Sequence, residues 1–256
     1  MNPIRFVAVC VCVAGLSACS GSGTVSDRSS GPSAAVANMN LGAGYLRQGN
    51  TTLAIERLQR ALAQDPRLVQ AHSTIALAYD QIGNLDEAES HYRRATELDP
   101  SNGNAANFYA VFLCSRQKRW ADAEPYFRRA VQDSNYPTPE AALTNAGVCA
   151  RDAGQVEAAT ERFRDALARN PSYPDALLSM MELSYQQRNF LQTRAFVQRY
   201  LAARPPTAAV LWTCFNVETE LGNADAAQGC AAQLRNDFRG SAELAQLEEQ
   251  TRRDGR

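Results

Sequence analysis

Residues 69–102 read VQAHSTIALAYDQIGNLDEAESHYRRATELDPSN, and they are the clearest copy of a pattern that runs through the chain. The stretch contains two segments with apolar and small residues at helical spacing, which are separated by Gly83 and closed by Pro100. A glycine permits the positive backbone angle at the end of a helix, and a proline ends the helix before it. The stretch therefore predicts two helices joined by a tight turn.

The same pattern occurs 34 residues earlier in the chain. The pairs of matching residues are Leu41 and Ile75, Gly42 and Ala76, Tyr45 and Tyr79, Gly49 and Gly83, Ala54 and Ala88, Leu58 and Tyr92, Ala61 and Ala95, and Pro66 and Pro100. Small residues at positions 8 and 20 of each copy allow two helices to approach closely, and position 24 fills the space to the next pair. A period of this length is typical of solenoids, in which stacked units bury a continuous core.

These positions resemble the tetratricopeptide repeat, a helix-turn-helix unit of about 34 residues. The resemblance predicts an all-α protein, a right-handed superhelical solenoid of about six repeats with a C-terminal capping helix. We assign the repeats to residues 35–68, 69–102, 103–137, 140–173, 174–207 and 208–239, and the capping helix to residues 241–253. The third copy needs one extra residue in its turn, and the fifth has Thr193 and Tyr200 in place of alanines. A generic helical bundle with coincidental alanine spacing is the alternative.

The N-terminal segment indicates where the protein resides. Residues 6–16 form an apolar run that is too short to cross a membrane, which needs about 20 residues, but has the size of a signal-peptide core. Residues 16–19, LSAC, resemble a bacterial lipobox, in which cleavage precedes the cysteine and the cysteine carries the lipid. This resemblance implies a signal peptide at residues 1–18 and a lipidated Cys19 that begins a Ser/Gly tether over residues 19–34. The serine after the cysteine implies lipid anchoring at the periplasmic face of the outer membrane. An ordinary cleaved signal with a cysteine near its end is the alternative.

Four cysteines remain in the expected mature chain beyond Cys19. The compartment implied by the lipobox is oxidising, so disulfide bonds are expected. Cys214 and Cys230 each lie eight residues from Gly222 in the sixth hairpin, which places them at similar height on facing helices. Cys114 and Cys149 are 35 residues apart, about one repeat, so they lie at similar height on neighbouring first helices. We therefore predict the pairs Cys114–Cys149 and Cys214–Cys230; four buried reduced thiols are the alternative.

Composition argues against several classes of protein. The chain has 26 Lys and Arg against 27 Asp and Glu, a net charge of −1, which argues against a strongly basic nucleic-acid binder. It lacks a phosphate-binding glycine loop and the G-x-S-x-G and H-E-x-x-H motifs. We interpret the two histidines, His72 and His91, as interhelix packing or surface residues. We therefore expect no enzyme activity, no metal, no small-molecule substrate and no cofactor besides the covalent lipid on Cys19.

A stack of such hairpins curves into an extended concave surface, and such a surface can bind another protein. In this repeat family the groove is lined mainly by positions 2, 5, 9 and 12 of the first helix. In the first two copies these are Val36, Met39, Ala43, Leu46, Gln70, Ser73, Leu77 and Asp80. The apolar members that we expect to face outward are Val36, Met39, Leu46 and Leu77. Such a strip is typical of a site for an extended or helical peptide, unless the tether or ordinary packing covers it. In the fourth copy, Asn145 is placed to hydrogen-bond a peptide backbone.

Two strings narrow the family further: NFYAVFLC at residues 107–114 and NAGVC at residues 145–149. Together with the lipobox, the tether and about six repeats, they resemble the type IV pilus biogenesis and stability lipoproteins of PilF/PilW type, the pilotins of the pilus secretin. The resemblance implies a non-enzymatic protein that binds secretin subunits and promotes their outer-membrane localisation and multimerisation. A general periplasmic scaffold lipoprotein for outer-membrane protein or envelope-complex assembly is the alternative. An enzyme with an unrecognised site is a third hypothesis.

Overall fold

A computed structural model of the chain describes residues 32–254, and every element within that range is an α-helix or a connecting turn. The helices are α1 (Pro32–Arg47), α2 (Thr51–Gln64), α3 (Val69–Gln81), α4 (Leu85–Leu98), α5 (Gly103–Ser115), α6 (Trp120–Gln132), α7 (Pro139–Asp152), α8 (Val156–Arg169), α9 (Pro174–Gln186), α10 (Phe190–Ala203), α11 (Ala208–Glu220), α12 (Ala224–Asp237) and α13 (Ala242–Asp254). The predicted signal peptide and Cys19 lie outside the described residues. Residues 32–34, which we assigned to the tether, instead open α1, since a proline suits the first turn of a helix. Among the described helices, none combines the length and the apolar character that crossing a bilayer requires.

Consecutive helices form six hairpins, in agreement with the predicted helix-turn-helix unit. In four of them the turn contains a glycine with φ between 72° and 77°: Gly49, Gly83, Gly154 and Gly222. The third and fifth hairpins lack a glycine there, and Lys118 and Arg188 adopt the left-handed conformation with φ of 56° and 57°. The turn geometry is therefore retained where the glycine is not.

Close contact between the two helices of a hairpin explains the small residues at positions 8 and 20. A Cβ added at Gly147 would lie 2.5 Å from the Phe163 ring, and one at Gly42 would lie 2.6 Å from Leu58. The position-20 alanines of the first four hairpins, Ala54, Ala88, Ala123 and Ala159, are fully buried. In the fifth hairpin Thr193 is equally buried, and its hydroxyl oxygen lies 2.9 Å from the Asn189 carbonyl oxygen and 3.0 Å from Ser184 Oγ, both within hydrogen-bond distance.

The hairpins stack into a solenoid whose inner layer consists of first helices. From α1 to α9, each first helix contacts the first helix of the next hairpin. The predicted all-α class and the repeated helix-turn-helix unit are thus confirmed within residues 32–254. At the C-terminal end, α13 covers the last hairpin by packing Leu247 into a cluster with Leu211 and Leu234, as expected of a capping helix.

Two disulfide bonds connect elements of this array. Cys114 of α5 is bonded to Cys149 of α7, with the Cα atoms 5.8 Å apart, and this bond joins the third repeat to the fourth. Cys214 and Cys230 join α11 to α12 within the sixth hairpin, with the Cα atoms 6.0 Å apart. Both separations lie in the usual range for disulfides, and both pairs are those that the repeat spacing predicts.

Candidate functional site

The candidate site is an apolar strip on α1 and α3, on the inner layer of the first two repeats. Val36 is 40% exposed, and Met39 lies one turn further along α1 and is half-buried. Ala43 and Leu77 are also half-buried, and Leu77 extends the strip onto α3. Met39 and Leu77 both pack against the core of these repeats and keep part of their surface open to solvent. The strip can therefore bury apolar surface of a partner.

The prediction that Leu46 faces outward in this strip is wrong. Leu46 is only 7% exposed and belongs to a core cluster with Leu58 and Ile75. Its side chain packs between the first two repeats because apolar surface is removed from water there. Ser73 is likewise buried, at 7% exposure, so it offers little surface to a ligand. Gln70, by contrast, is exposed.

Two ion pairs lie on the first helices or at their ends. The half-buried carboxylate of Asp80, at the end of α3, forms an ion pair with Arg116, with 2.7 Å between Oδ1 and Nε. Further along the inner layer, Arg151 of α7 lies 3.3 Å from the Glu182 carboxylate of α9. These charges are paired with each other, so they add little net charge to the surface between them.

Asn145 takes part in an amide pair that joins two repeats. Its side-chain nitrogen donates to the side-chain oxygen of Asn107, 3.1 Å away on α5. Asn107 is 8% exposed. Each carboxamide offers two donor hydrogens and an oxygen with two lone pairs, and the pair uses one donor and one acceptor between them. The remaining groups can bind the N–H and C=O of a peptide, whichever way the two amides are oriented.

Sequence reasoning did not identify Asn107 of this pair, or its neighbour Phe108, as groove residues. Asn107 and Phe108 occupy positions 5 and 6 of the third copy, and Phe108 is 42% exposed. The signal was available, because the extra residue of that copy lies in its turn and leaves the register of α5 unchanged. The apolar strip therefore has a smaller counterpart near the middle of the array.

Across residues 32–254, no group of three or more His, Cys, Asp or Glu side chains is arranged to hold a metal ion. The two histidines contact each other across α3 and α4 of the second hairpin. What the site offers is apolar surface together with amide hydrogen bonding, which is the chemistry of peptide recognition.

Comparisons with known proteins agree with this architecture. A family model described as "Tetratricopeptide repeat" matches residues 39–103 and 73–142, and a second model with the same description matches residues 150–213. The chain is 28% identical over 212 residues to the "Type IV pilus assembly protein PilF" of Pseudomonas aeruginosa. The aligned region covers 83% of this chain and 84% of that protein.

Two solved structures are similar over nearly their whole length. One is the crystal structure of PilW, described as a widely conserved type IV pilus biogenesis factor, with a TM-score of 0.73 and 28% identity. The similarity covers 84% of this chain and 98% of PilW. The other is a structure of Pseudomonas aeruginosa PilF, with a TM-score of 0.72, 28% identity, and coverage of 85% of this chain and 97% of that one.

Proposed function

Since this chain belongs to the tetratricopeptide repeat family and is homologous to PilF and PilW, we propose that it is the pilotin of a type IV pilus system. Its homology supports a role in type IV pilus biogenesis through protein–protein interaction. The finer proposal is that it binds secretin subunits and promotes their localisation to the outer membrane and their multimerisation. No catalytic step is required of it.

The observation that carries this proposal is the open apolar strip of Val36, Met39 and Leu77. A stacked array covers the apolar side chains of each hairpin with the next, so side chains left partly open on its inner layer are available to a partner. Burial of such side chains contributes about 25 cal/mol per Å² of apolar area removed from water. An extended or helical segment of a secretin subunit is the ligand that we propose for this strip.

The amide pair would fix the direction and register of that ligand. Apolar contacts are non-directional, whereas the free amide groups of Asn107 and Asn145 bind only a correctly placed peptide unit. In this account the strip supplies most of the affinity, and the amides and the exposed Phe108 ring extend recognition toward the middle of the array.

Membrane attachment completes the proposal. A lipid on Cys19 would hold the array at the periplasmic face of the outer membrane, which is where a secretin ring must assemble. Each buried CH₂ of an acyl chain contributes about 0.8 kcal/mol, and more than one chain is needed for stable anchoring. The lipid thus supplies the location and the groove supplies the specificity.

The proposal is tested by crosslinking in living cells. A photoreactive amino acid replaces Leu77 in the strip, and in a matched control it replaces Leu191, which is 68% exposed on α10. We expect irradiation to join the Leu77 variant, and not the Leu191 variant, to the secretin, identified by mass spectrometry of the product. Equal crosslinking of the secretin from both positions would remove the strip from the account.

The general scaffold is the second candidate function, and the same experiment separates it from the first. Crosslinks from the Leu77 position to outer-membrane barrel or envelope-assembly proteins, with no secretin among the products, would favour the scaffold over the pilotin. The exposed apolar surface alone is compatible with either partner.

A further inference from the structure

The two histidines of the chain form a direct contact inside the second hairpin. Nδ1 of His72, on α3, lies 2.9 Å from Nδ1 of His91, on α4. The other ring nitrogen of His72, Nε2, lies 3.1 Å from the carbonyl oxygen of Pro66 in the turn between α2 and α3. His72 is 8% exposed, and His91 is half-buried with its ring stacked on Tyr79. The pair thus ties together two helices and the turn that leads to the first repeat.

The partners determine where the protons are. A carbonyl oxygen only accepts hydrogen bonds, so Nε2 of His72 carries its hydrogen and donates to Pro66. In a neutral His72, Nδ1 then holds a lone pair and accepts a hydrogen bond from Nδ1–H of His91. This leaves Nε2 of His91 as the free basic nitrogen of the pair.

Adding protons one at a time has unequal effects. The first proton binds Nε2 of His91 and leaves the Nδ1–H···Nδ1 hydrogen bond in place. The second proton can bind only Nδ1 of His72, where it would face the Nδ1–H of His91 at 2.9 Å with two positive rings in contact. The contact cannot survive that step.

We propose that the His72–His91 contact is a proton-operated lock on the second repeat, which is closed with no more than one added proton and opens with the second. Opening separates the two rings and loosens α4 from α3 at this point, while the charged His72 still donates its Nε2–H to the Pro66 carbonyl oxygen. Because Ser73 follows His72 directly and Leu77 lies just over one turn further on α3, the wall of the apolar strip moves with the lock.

The surroundings allow protons to reach the pair. A cleft of about 360 Å³ beside the rings is lined by Ser90, Arg93, Arg94 and Glu97 as well as by the two histidines. Burial lowers the pKa of both imidazoles below 6.5. For His72 the hydrogen bond to Pro66 and the charge of Asp65 oppose this effect and Arg94 adds to it, whereas for His91 the charge of His72 adds to it and Glu87 opposes it.

The direction of the pH effect on stability follows from these pKa values. Both histidines have a lower pKa in the folded protein than the 6.5 of the unfolded chain, so the unfolded state binds more protons below that pH. The stabilisation is complete above about pH 6.5 and is lost as the pH falls toward the folded pKa values.

Imidazole titration by NMR tests the proposal on the full-length protein, in which two histidines give two simple sets of signals. We expect two steps with midpoints below 6.5, and we expect the backbone amides of Ser73 and Leu77 to shift with the lower step. Two midpoints near 6.5, or α3 amides that do not respond, would overturn it.

Two variants provide matched controls. His91→Asn places an amide NH₂ where Nδ1–H stands and keeps the hydrogen bond to His72, but it does not titrate. His72→Gln keeps a donor for the Pro66 carbonyl oxygen and loses the Nδ1 contact. We expect the fall in Tm between about pH 7.5 and about pH 5 to be smaller in His91→Asn than in the natural chain. An equal fall in Tm in His91→Asn and in the natural chain would contradict the lock. If His91→Asn does not fold, the same comparison is made with His72→Gln.

Discussion

The contact between Gly147 and the Phe163 ring determines how closely α7 and α8 approach. A Cβ at position 147 would lie 2.5 Å from the ring, and the ring is fully buried and cannot move away without disturbing the core. At the residue scale, the small side chains of positions 8 and 20 are therefore a packing requirement, not merely a matter of helix propensity.

A single substitution tests this requirement. We expect Gly147→Ala to lower the free energy of unfolding by about 1–3 kcal/mol, because the added methyl group overpacks the hairpin. Gly44→Ala is the matched control on α1, where the nearest atom to an added Cβ is 4.0 Å away in the flexible Arg47 side chain. There we expect a gain of about 0.4–1 kcal/mol, and chemical denaturation of both variants measures the difference. A Gly147→Ala protein as stable as the natural chain would contradict the packing argument.

Individual groove residues were only partly predictable from repeat position. Position 12 holds Leu46 in the first copy and Asp80 in the second, and the structure buries the former in the core and keeps the latter half-buried in an ion pair. Repeat position specifies the face of the helix on which a side chain lies. How much of it solvent reaches depends on how the next repeat packs against that face and on the side chain's own chemistry.

At the scale of the element, the hairpin turn is built in the same way with or without glycine. Lys118 and Arg188 adopt φ values of 56° and 57°, in the region where four other hairpins have a glycine. This conformation costs an L-residue roughly 1–2 kcal/mol, because Cβ approaches the following carbonyl oxygen. The third and fifth hairpins therefore store strain that the others do not.

Relief of that strain is measurable. We expect Lys118→Gly to raise the free energy of unfolding by about 0.5–1 kcal/mol, since the relief exceeds the entropy that a glycine adds to the unfolded chain. Gly83→Ala is the reverse change in the second hairpin, where φ is 77°, and we expect it to destabilise the protein by a similar amount. Urea denaturation with unchanged slope checks both, and a Lys118→Gly protein less stable than the natural chain would show that the turn is not strained.

The elements were predictable to different extents. Helix pairs with regular Ala, Gly and Pro spacing were read from the sequence, and the disulfide pairs followed from their register. The start of α1 at Pro32 was not, because residues 32–34 lack the apolar periodicity that marks a helix. For the two histidines, interhelix packing was one of the two expected roles, and the structure shows it. Their direct contact was not predicted, since positions 4 and 23 of one copy interact only when the two helices face each other.

At the scale of the whole molecule, the array has two unlike ends. The C-terminal end is closed by α13, whose Leu247 is fully buried. The N-terminal repeats keep the open strip of Val36, Met39 and Leu77, and they lie next to the segment proposed to carry the lipid. An array arranged in this way would present its binding surface close to the membrane where its partner assembles.

We propose that this strip binds the secretin, and the assembly of the secretin in cells tests that proposal. The measurement is a blot for heat-resistant secretin multimer in outer membranes from cells that produce only the Val36→Asp, Leu77→Asp double variant. Leu191→Asp is the control, because it adds a charge at an exposed apolar residue of α10, outside the strip. We predict loss of the multimer, with monomer accumulating, in the strip variant and normal multimer in the control. Normal multimer in a strip variant that is folded and present at its usual level would contradict the claim.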